Sequence, residues 1–471
     1  MTRSRFVSAV VLLLAVLLSA CGGGSKAARA AGSTTASALP ACPLDALRGS
    51  SKPVDITVWH AMTRANDDEL TALTNRFNAS QSAIHVTLSA AATYADNLTR
   101  FEAGLSTGRL PDLFQGEDTS LQTLLDTHAV LPAQSCLEAD HADTSDYVPR
   151  VLAYYSIKGV LWPMPFNNSN PLLYYNKAAF TRAGLDPDRP PTTLDAVQAD
   201  ARRIVQSGAA KYGIAIRTDP WLIQNWLAEA GHTFVNNGNG RQSRATSVTL
   251  DDATGVQLFT WLHDMVQSKL ALNTGTAEID HYLAVANGTA AMTIDTSAAL
   301  GTIAQILESG QFKNVKLGVG RMPGPTSTNG GVLVGGAAMY IVNRSAPAKE
   351  AAAYRFAKFL DEPQSQADWA SATGYTPVRK SATTLPSLTT SWVRQPGYRV
   401  AYTQLLSGAE NDATAGPVVG DYGAANEGVS GAIIDAWARM LTQNVPPAQA
   451  VHDAAANADT ALQTYNSRVG P

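Results

Sequence analysis

Glu117 and Asp118 stand side by side in the stretch Gly116-Glu117-Asp118-Thr119. Two neighbouring carboxylates suggest two chemistries: acid–base cleavage of a glycosidic bond, or acceptance of hydrogen bonds from the hydroxyls of a sugar or polyol. Cleavage needs the acids on opposite sides of the scissile bond, and adjacent residues at a strand end rarely face each other in that way. The chain also lacks a glycine loop ending in Gly-Lys-Ser/Thr and a His-Glu-x-x-His. It has no nucleophile turn: its one Gly-x-Ser-x-Gly match, Gly104-Leu105-Ser106-Thr107-Gly108, follows a helical segment and does not lead from a strand into a helix. Hydroxyl binding is therefore the reading to carry forward. A glycoside-acting enzyme and a purely adhesive protein are the alternatives: product from an oligosaccharide would mark the first, and absence of saturable small-molecule binding the second.

The acids sit within a strand–helix–strand–helix order. Residues 54–59 alternate as a strand, and Leu70, Leu73, Thr74 and Phe77 recur at helical spacing. Residues 84–88 form the next strand, 94–103 a helix and 111–115 a further strand. This order predicts an α/β lobe with a largely parallel sheet, with residues 116–119 just beyond a strand's carboxyl end, where such sheets build binding loops. Further on, Thr193 is a helix cap for residues up to 206, 212–216 is a strand, and Asp219-Pro220-Trp221 opens a helix that Gly231 can end. A helix over 254–266, a strand over 290–294, a helix start at Ser297 and helices over 350–360 and 429–465 follow. Residues 322–325, Met-Pro-Gly-Pro, form an inter-lobe connection. The glycines of 329–340 let the backbone approach a ligand or a second lobe. The run Leu161–Lys177, with three prolines and three asparagines ahead of an aromatic strand that ends in Tyr174, Tyr175 and Asn176, is either a plain loop or a crossing between lobes.

The N-terminus is an export signal: Arg3 and Arg5, an apolar run over 7–18, then Leu18-Ser19-Ala20-Cys21. That tetrad resembles the lipobox of bacterial lipoproteins, which implies cleavage before Cys21 and its acylation. Residues 21–51 are a Gly, Ala, Ser and Thr tether, and the body beyond is long enough for two lobes. Cys42 and Cys136 could pair outside the cytosol. They are too far apart in sequence, and too poor in nearby histidines, for a metal site. A formal net charge of −4 with no basic tract excludes nucleic acid as a partner.

Several motifs together resemble the family 1 extracellular solute-binding proteins of ABC importers, closest to their glycerol-3-phosphate/glycerophosphodiester branch. They are Trp59-His60-Ala61-Met62, Pro165-Phe166-Asn167-Asn168-Ser169, Leu173-Tyr174-Tyr175-Asn176-Lys177, Gly335-Gly336-Ala337 and Thr373-Gly374-Tyr375-Thr376-Pro377. The resemblance implies an α/β type II periplasmic-binding-protein fold, two lobes hinged around a ligand cleft. One lobe would take 52–164 and 325–378, the other 165–324 and 379–471. It implies a monomeric binder, lipid-anchored outside the cytoplasm, that passes a carbohydrate-type solute to a membrane permease with no cofactor or metal. Matching family positions gives Tyr94, Glu117, Asp118, Ser169, Trp221 and Ser297 as ligand contacts, with Gly335 and Gly336 offering backbone N–H groups and Tyr340 closing the floor. Trp59 and His60 are structural. The family's late ligand-binding arginine has no counterpart in residues 416–424, so Arg64 is the substitute if its loop turns inward, and a neutral saccharide stands beside glycerophosphate as the solute.

Overall fold

The computed structural model describes residues 39–48, 52–308, 311–312, 315–325, 330–423 and 427–470. The export signal, Cys21 and most of the tether lie outside the described residues. From Pro40 onward the chain forms one unit built on two sheets, each with its own apolar core.

In the first sheet Val54–His60 pairs in parallel with Ile84–Ala90 and Leu113–Glu117. Gly335–Val342 runs antiparallel to Leu113–Glu117 and also to Met164–Ser169. Val58, Leu70, Leu73, Phe101, Leu113 and Phe114 meet beneath this sheet, so the helical and alternating spacings of the first lobe converge on one core. In the second sheet Ala271–Asn273, Tyr212–Ile216 and Ala290–Thr296 are parallel, and Pro171–Asn176 and Leu317–Arg321 complete it antiparallel. Thr193 accepts a hydrogen bond from Ala196 N and starts the helix Leu194–Gln206. Asp219 caps Pro220–Glu229 in the same way, through Trp221 N. The long C-terminal helical stretch is two helices, Gly428–Thr442 and Pro447–Val469, broken where Pro446 and Pro447 remove donors.

The 161–177 stretch is a crossing. Met164–Ser169 belongs to the first sheet and Pro171–Asn176 to the second, so the chain passes over at Asn170 rather than at 164/165, because 164–169 is held by pairing with Gly335–Met339. Likewise the helix Pro386–Arg394 packs on Pro363–Thr373 of the first lobe, and the return falls nearer 396 than 379. The asparagines join strands that a plain apolar run would leave unspecified. Asn167 Oδ1 accepts from Gln115 Nε2 at 2.9 Å, and Asn168 Nδ2 donates to Thr376 Oγ1 at 2.6 Å. Asn170 Nδ2 donates to Ala401 O and its Oδ1 accepts from Gln404 Nε2, both at 3.0 Å. Gln404 Oε1 also accepts from Met322 N, so one buried amide ties three crossing segments. Away from this hinge the lobes meet again where Asp126 accepts two hydrogen bonds of 2.8 Å from Arg244 and one of 2.7 Å from Tyr465 Oη.

Cys42 and Cys136 are disulfide-bonded, S–S 1.98 Å, which fastens the end of the tether to the helix Ala133–Ala139 of the first lobe. Among the described residues no helix is long and apolar enough to cross a membrane.

Candidate functional site

Between the lobes lies a cleft of about 470 Å³. Its first-lobe wall is built on the end of the strand Leu113–Glu117. Pairing of Gly116 with Ala338 and of Glu117 with Ala337 carries the strand through Glu117, so that only Asp118 of the two acids lies past its end, and not both as the sequence pattern predicts. The chain then turns sharply at Asp118. Asp118 is buried and accepts from Tyr154 Oη at 2.9 Å, and Glu117 accepts from Thr119 Oγ1 at 3.3 Å. No cation reaches either carboxylate by hydrogen bond among the described residues. Burial, reinforced by Asp219 across the cleft, pushes Glu117 up to about 7. Burial and then Glu117 push Asp118 upward too. Both acids are thereby biased toward the protonated form, in which each can donate as well as accept.

The second-lobe wall is built from the ends of Tyr212–Ile216 and Ala290–Thr296, and here the acids are paired. Arg217 donates to Asp219. Asp295 Oδ2 accepts from His281 Nε2 and from Tyr282 Oη, while its Oδ1 takes Thr296 N. Burial alone would raise Asp295, but Arg217 and then His281 hold it well below the usual carboxylate range. Burial likewise opposes the charge on Arg217, and Asp219 followed by Asp295 more than restores it. This guanidinium escaped the sequence reading. Its one signal was position, immediately beyond a parallel strand's carboxyl end.

Tyr94, Glu117, Asp118, Ser169, Trp221 and Gly336 converge on the cleft lining, joined by Tyr375, which the sequence reading had used only as a family motif. Asn167 Nδ2 donates to Tyr94 Oη at 2.9 Å and fixes the first ring. Gly335 lies against the Trp221 ring. Ser297 is fully buried behind the lining. Thr296 and not Ser297 caps the turn, through Ala298 N, and the Ser297 hydroxyl has no partner among the described residues. Tyr340 sits beneath Gly116 and does not line the cleft, because the glycine's missing side chain lets the ring pack directly under it. Arg64 is outside the lining: its loop reaches the cleft through Ala61 and Thr63, but Arg64 itself is exposed and precedes the helix Ala65–Ser80 with φ 53°. Trp59 and His60 have structural surroundings, with Arg100 stacked 3.6 Å from the Trp59 ring and Met62 N donating to His60 Nδ1. No group of histidine, cysteine and acidic side chains suited to a metal ion occurs among the described residues.

Two α/β lobes joined by several crossings around a polar cleft define the periplasmic-binding-protein fold. The profile of the bacterial extracellular solute-binding proteins matches residues 72–396, and the chain belongs to that family, the binding components of ABC importers. The Escherichia coli K12 sn-glycerol-3-phosphate-binding periplasmic protein UgpB is 30% identical over 382 residues, 79% of this chain and 85% of that one. Among solved structures, Mycobacterium tuberculosis UgpB in complex with glycerophosphocholine superposes with a TM-score of 0.71 at 22% identity, covering 89% of this chain and 99% of that one. The cyclic alpha-maltosyl-1,6-maltose binding protein of Arthrobacter globiformis gives 0.69 at 23%, covering 88% and 100%. The role is extracytoplasmic and non-catalytic, the capture of a small solute for an ABC permease.

Proposed function

We propose that the cleft takes a hydroxyl-rich solute without net negative charge, either a neutral saccharide or a zwitterionic glycerophosphodiester, and that Cys21 holds the binder by lipid near its permease. The observation that carries this reading is the charge of the lining. Eight carboxylate side chains surround the cleft, and the one cation among the described lining residues, Arg217, is already paired with Asp219. A phosphate monoester would enter as a near-dianion against those carboxylates, desolvated and without a free guanidinium. Hydroxyl groups suit the same wall, since ionised carboxylates accept from them and protonated ones also donate. The faces of Tyr94, Trp221 and Tyr375 supply apolar surface for C–H groups. The glycerophosphodiester reading is supported by Arg217, beside which a singly charged diester could sit while its cationic end meets the acids. The curated relatives are named for sn-glycerol-3-phosphate, and it is the Mycobacterium tuberculosis protein of like fold that was solved with glycerophosphocholine.

Calorimetric titration with glycerophosphocholine, maltose, trehalose, glycerol and glycerol-3-phosphate tests the proposal. Saturable binding of the diester or a saccharide is expected, with glycerol-3-phosphate at least about tenfold weaker, or about 1.4 kcal/mol. Tightest binding by glycerol-3-phosphate would overturn it.

A further inference from the structure

Trp221 and Gly335 come from opposite lobes. Trp221 opens the helix Pro220–Glu229 of the second lobe, and Gly335 begins the strand Gly335–Val342 of the first sheet. A Cβ on Gly335 would lie 2.6 Å from Cζ2 of the Trp221 ring and 3.2 Å from its Cε2. Carbon atoms in ordinary contact stand roughly 3.5–4.0 Å apart, so the indole occupies the space an alanine methyl would need. A fused ring cannot fold away as the tip of a long chain can. Gly336 is a different case: its φ is 96° and a Cβ there would meet Asn167 O at 2.0 Å, so its constraint lies within its own lobe. Gly335 has no such backbone demand, and what its missing side chain serves is the approach of the other lobe.

Gly335 pairs with Ser169, one residue before the crossing at Asn170, so the contact lies at the hinge end of the cleft. The Trp221 indole N–H is buried and has no partner among the described residues, while its ring lines the cleft. We infer that Trp221 is the stop that sets how far the lobes close and Gly335 its seat, so that this pair fixes the height of the closed cleft and with it the size of solute accepted. A wedge close to a hinge opens the far mouth by more than its own thickness. One methyl at Gly335 therefore widens the closed form, whereas the same methyl at the rim would be absorbed by the loops. The inference concerns closure and does not depend on which solute is bound.

The test is an interlobe distance. Spin labels on Ser106→Cys and Arg202→Cys, one exposed helix position in each lobe, report it in the full chain carrying Cys21→Ser with the disulfide intact. Distributions are recorded without ligand, with glycerophosphocholine and with maltose. Gly335→Ala is expected to move the short-distance edge outward, and adding Trp221→Leu to move it back. A closed population reduced about tenfold lowers apparent affinity for a bound solute by the same factor. An edge that Gly335→Ala leaves in place, or a displacement that Trp221→Leu does not reverse, overturns the inference. If Gly335→Ala does not fold, Trp221→Ala alone decides: the lobes must then close further and the edge move inward, and an unmoved edge sinks the idea. Failure of both compounds to bind would count against the proposed solute class, while the ligand-free distances would still judge the stop.

Discussion

Both walls of the cleft carry carboxyl groups, but Glu117 and Asp118 on one and Asp295 on the other are driven in opposite electrical directions. On the first lobe, Glu117 and Asp118 face hydroxyl groups, from Thr119 and Tyr154, and are pushed upward toward protonation. On the second lobe, Asp219 faces Arg217, and Asp295 lies between Arg217 and His281 and is held ionised. Burial is common to both walls and cannot explain the difference. What differs is whether a fixed cation shares the site. The second wall is thus a preorganised charged surface, and the first an adaptable one that gives or takes a proton as the solute requires.

Removing the cation is the most direct way to break this contrast. Arg217→Gln leaves Asp219 and Asp295 without their main compensation. The expected loss is about 3 kcal/mol, the lower end for breaking a buried ion pair, because the Arg217 side chain keeps 23% of its exposure. Urea unfolding measures it, and Arg217→Lys should recover part of the loss. A change below about 1 kcal/mol would mean that the pair behaves as a surface salt bridge and the second wall is no more preorganised than the first.

How much of this was legible in the sequence differs between fold and site. Elements announced themselves where the signal was local: Thr193 and Asp219 cap the helices they precede, and the 3.6-residue spacing of Leu70, Leu73 and Phe77 marks a helix that does face the core. Strand ends were less legible. Glu117 became part of a strand only because Gly335–Val342, more than 200 residues later, arrives to pair with it. Tyr94, Glu117, Asp118, Ser169 and Trp221 were named through family motifs, and the structure gathers them in one lining. Arg217, Asp219 and Asp295 were missed because each looks ordinary among its neighbours, as a residue after a strand, a helix cap and a strand residue. Their meeting is a property of two parallel strands ending side by side. The gap left by the absent late arginine could not direct attention to Arg217, since no spacing in sequence connects residues 217 and 416–424.

The next effect is smaller and belongs to the first wall. A folded-state pKa of about 7 for Glu117, against an ordinary 4.5, means the folded chain holds a proton that the unfolded chain has released. Its stability contribution is therefore greatest below about pH 4.5, declines as pH rises toward 7, and levels off above that. Glu117→Gln has no proton to lose, so the decline between pH 5 and pH 8, on the order of 2 kcal/mol for this residue, should flatten, leaving the part due to Asp118. Denaturant midpoints across that range measure it. A variant that keeps the full slope would show that Glu117 is ionised throughout, and the walls would then be electrically alike.

The sharpest version of the comparison makes one chemical change on both walls. Asp295→Asn removes a charge that Arg217 and His281 are arranged around, and at neutral pH should cost about 3 kcal/mol, since it leaves buried donors and a cation uncompensated. Asp118→Asn replaces a carboxyl group already biased toward neutrality with a neutral amide of the same shape. Tyr154 Oη can donate to the amide oxygen as it does to the carboxyl oxygen, so the expected change is within about 1 kcal/mol of zero. Paired unfolding curves at pH 7 give both values under one set of conditions. Near-equal losses would mean that burial, and not the presence of Arg217, determines the state of these acids. A wide separation would mean that the position of a single guanidinium, at the end of one strand of one lobe, makes one wall of the cleft charged and leaves the other able to change its protonation.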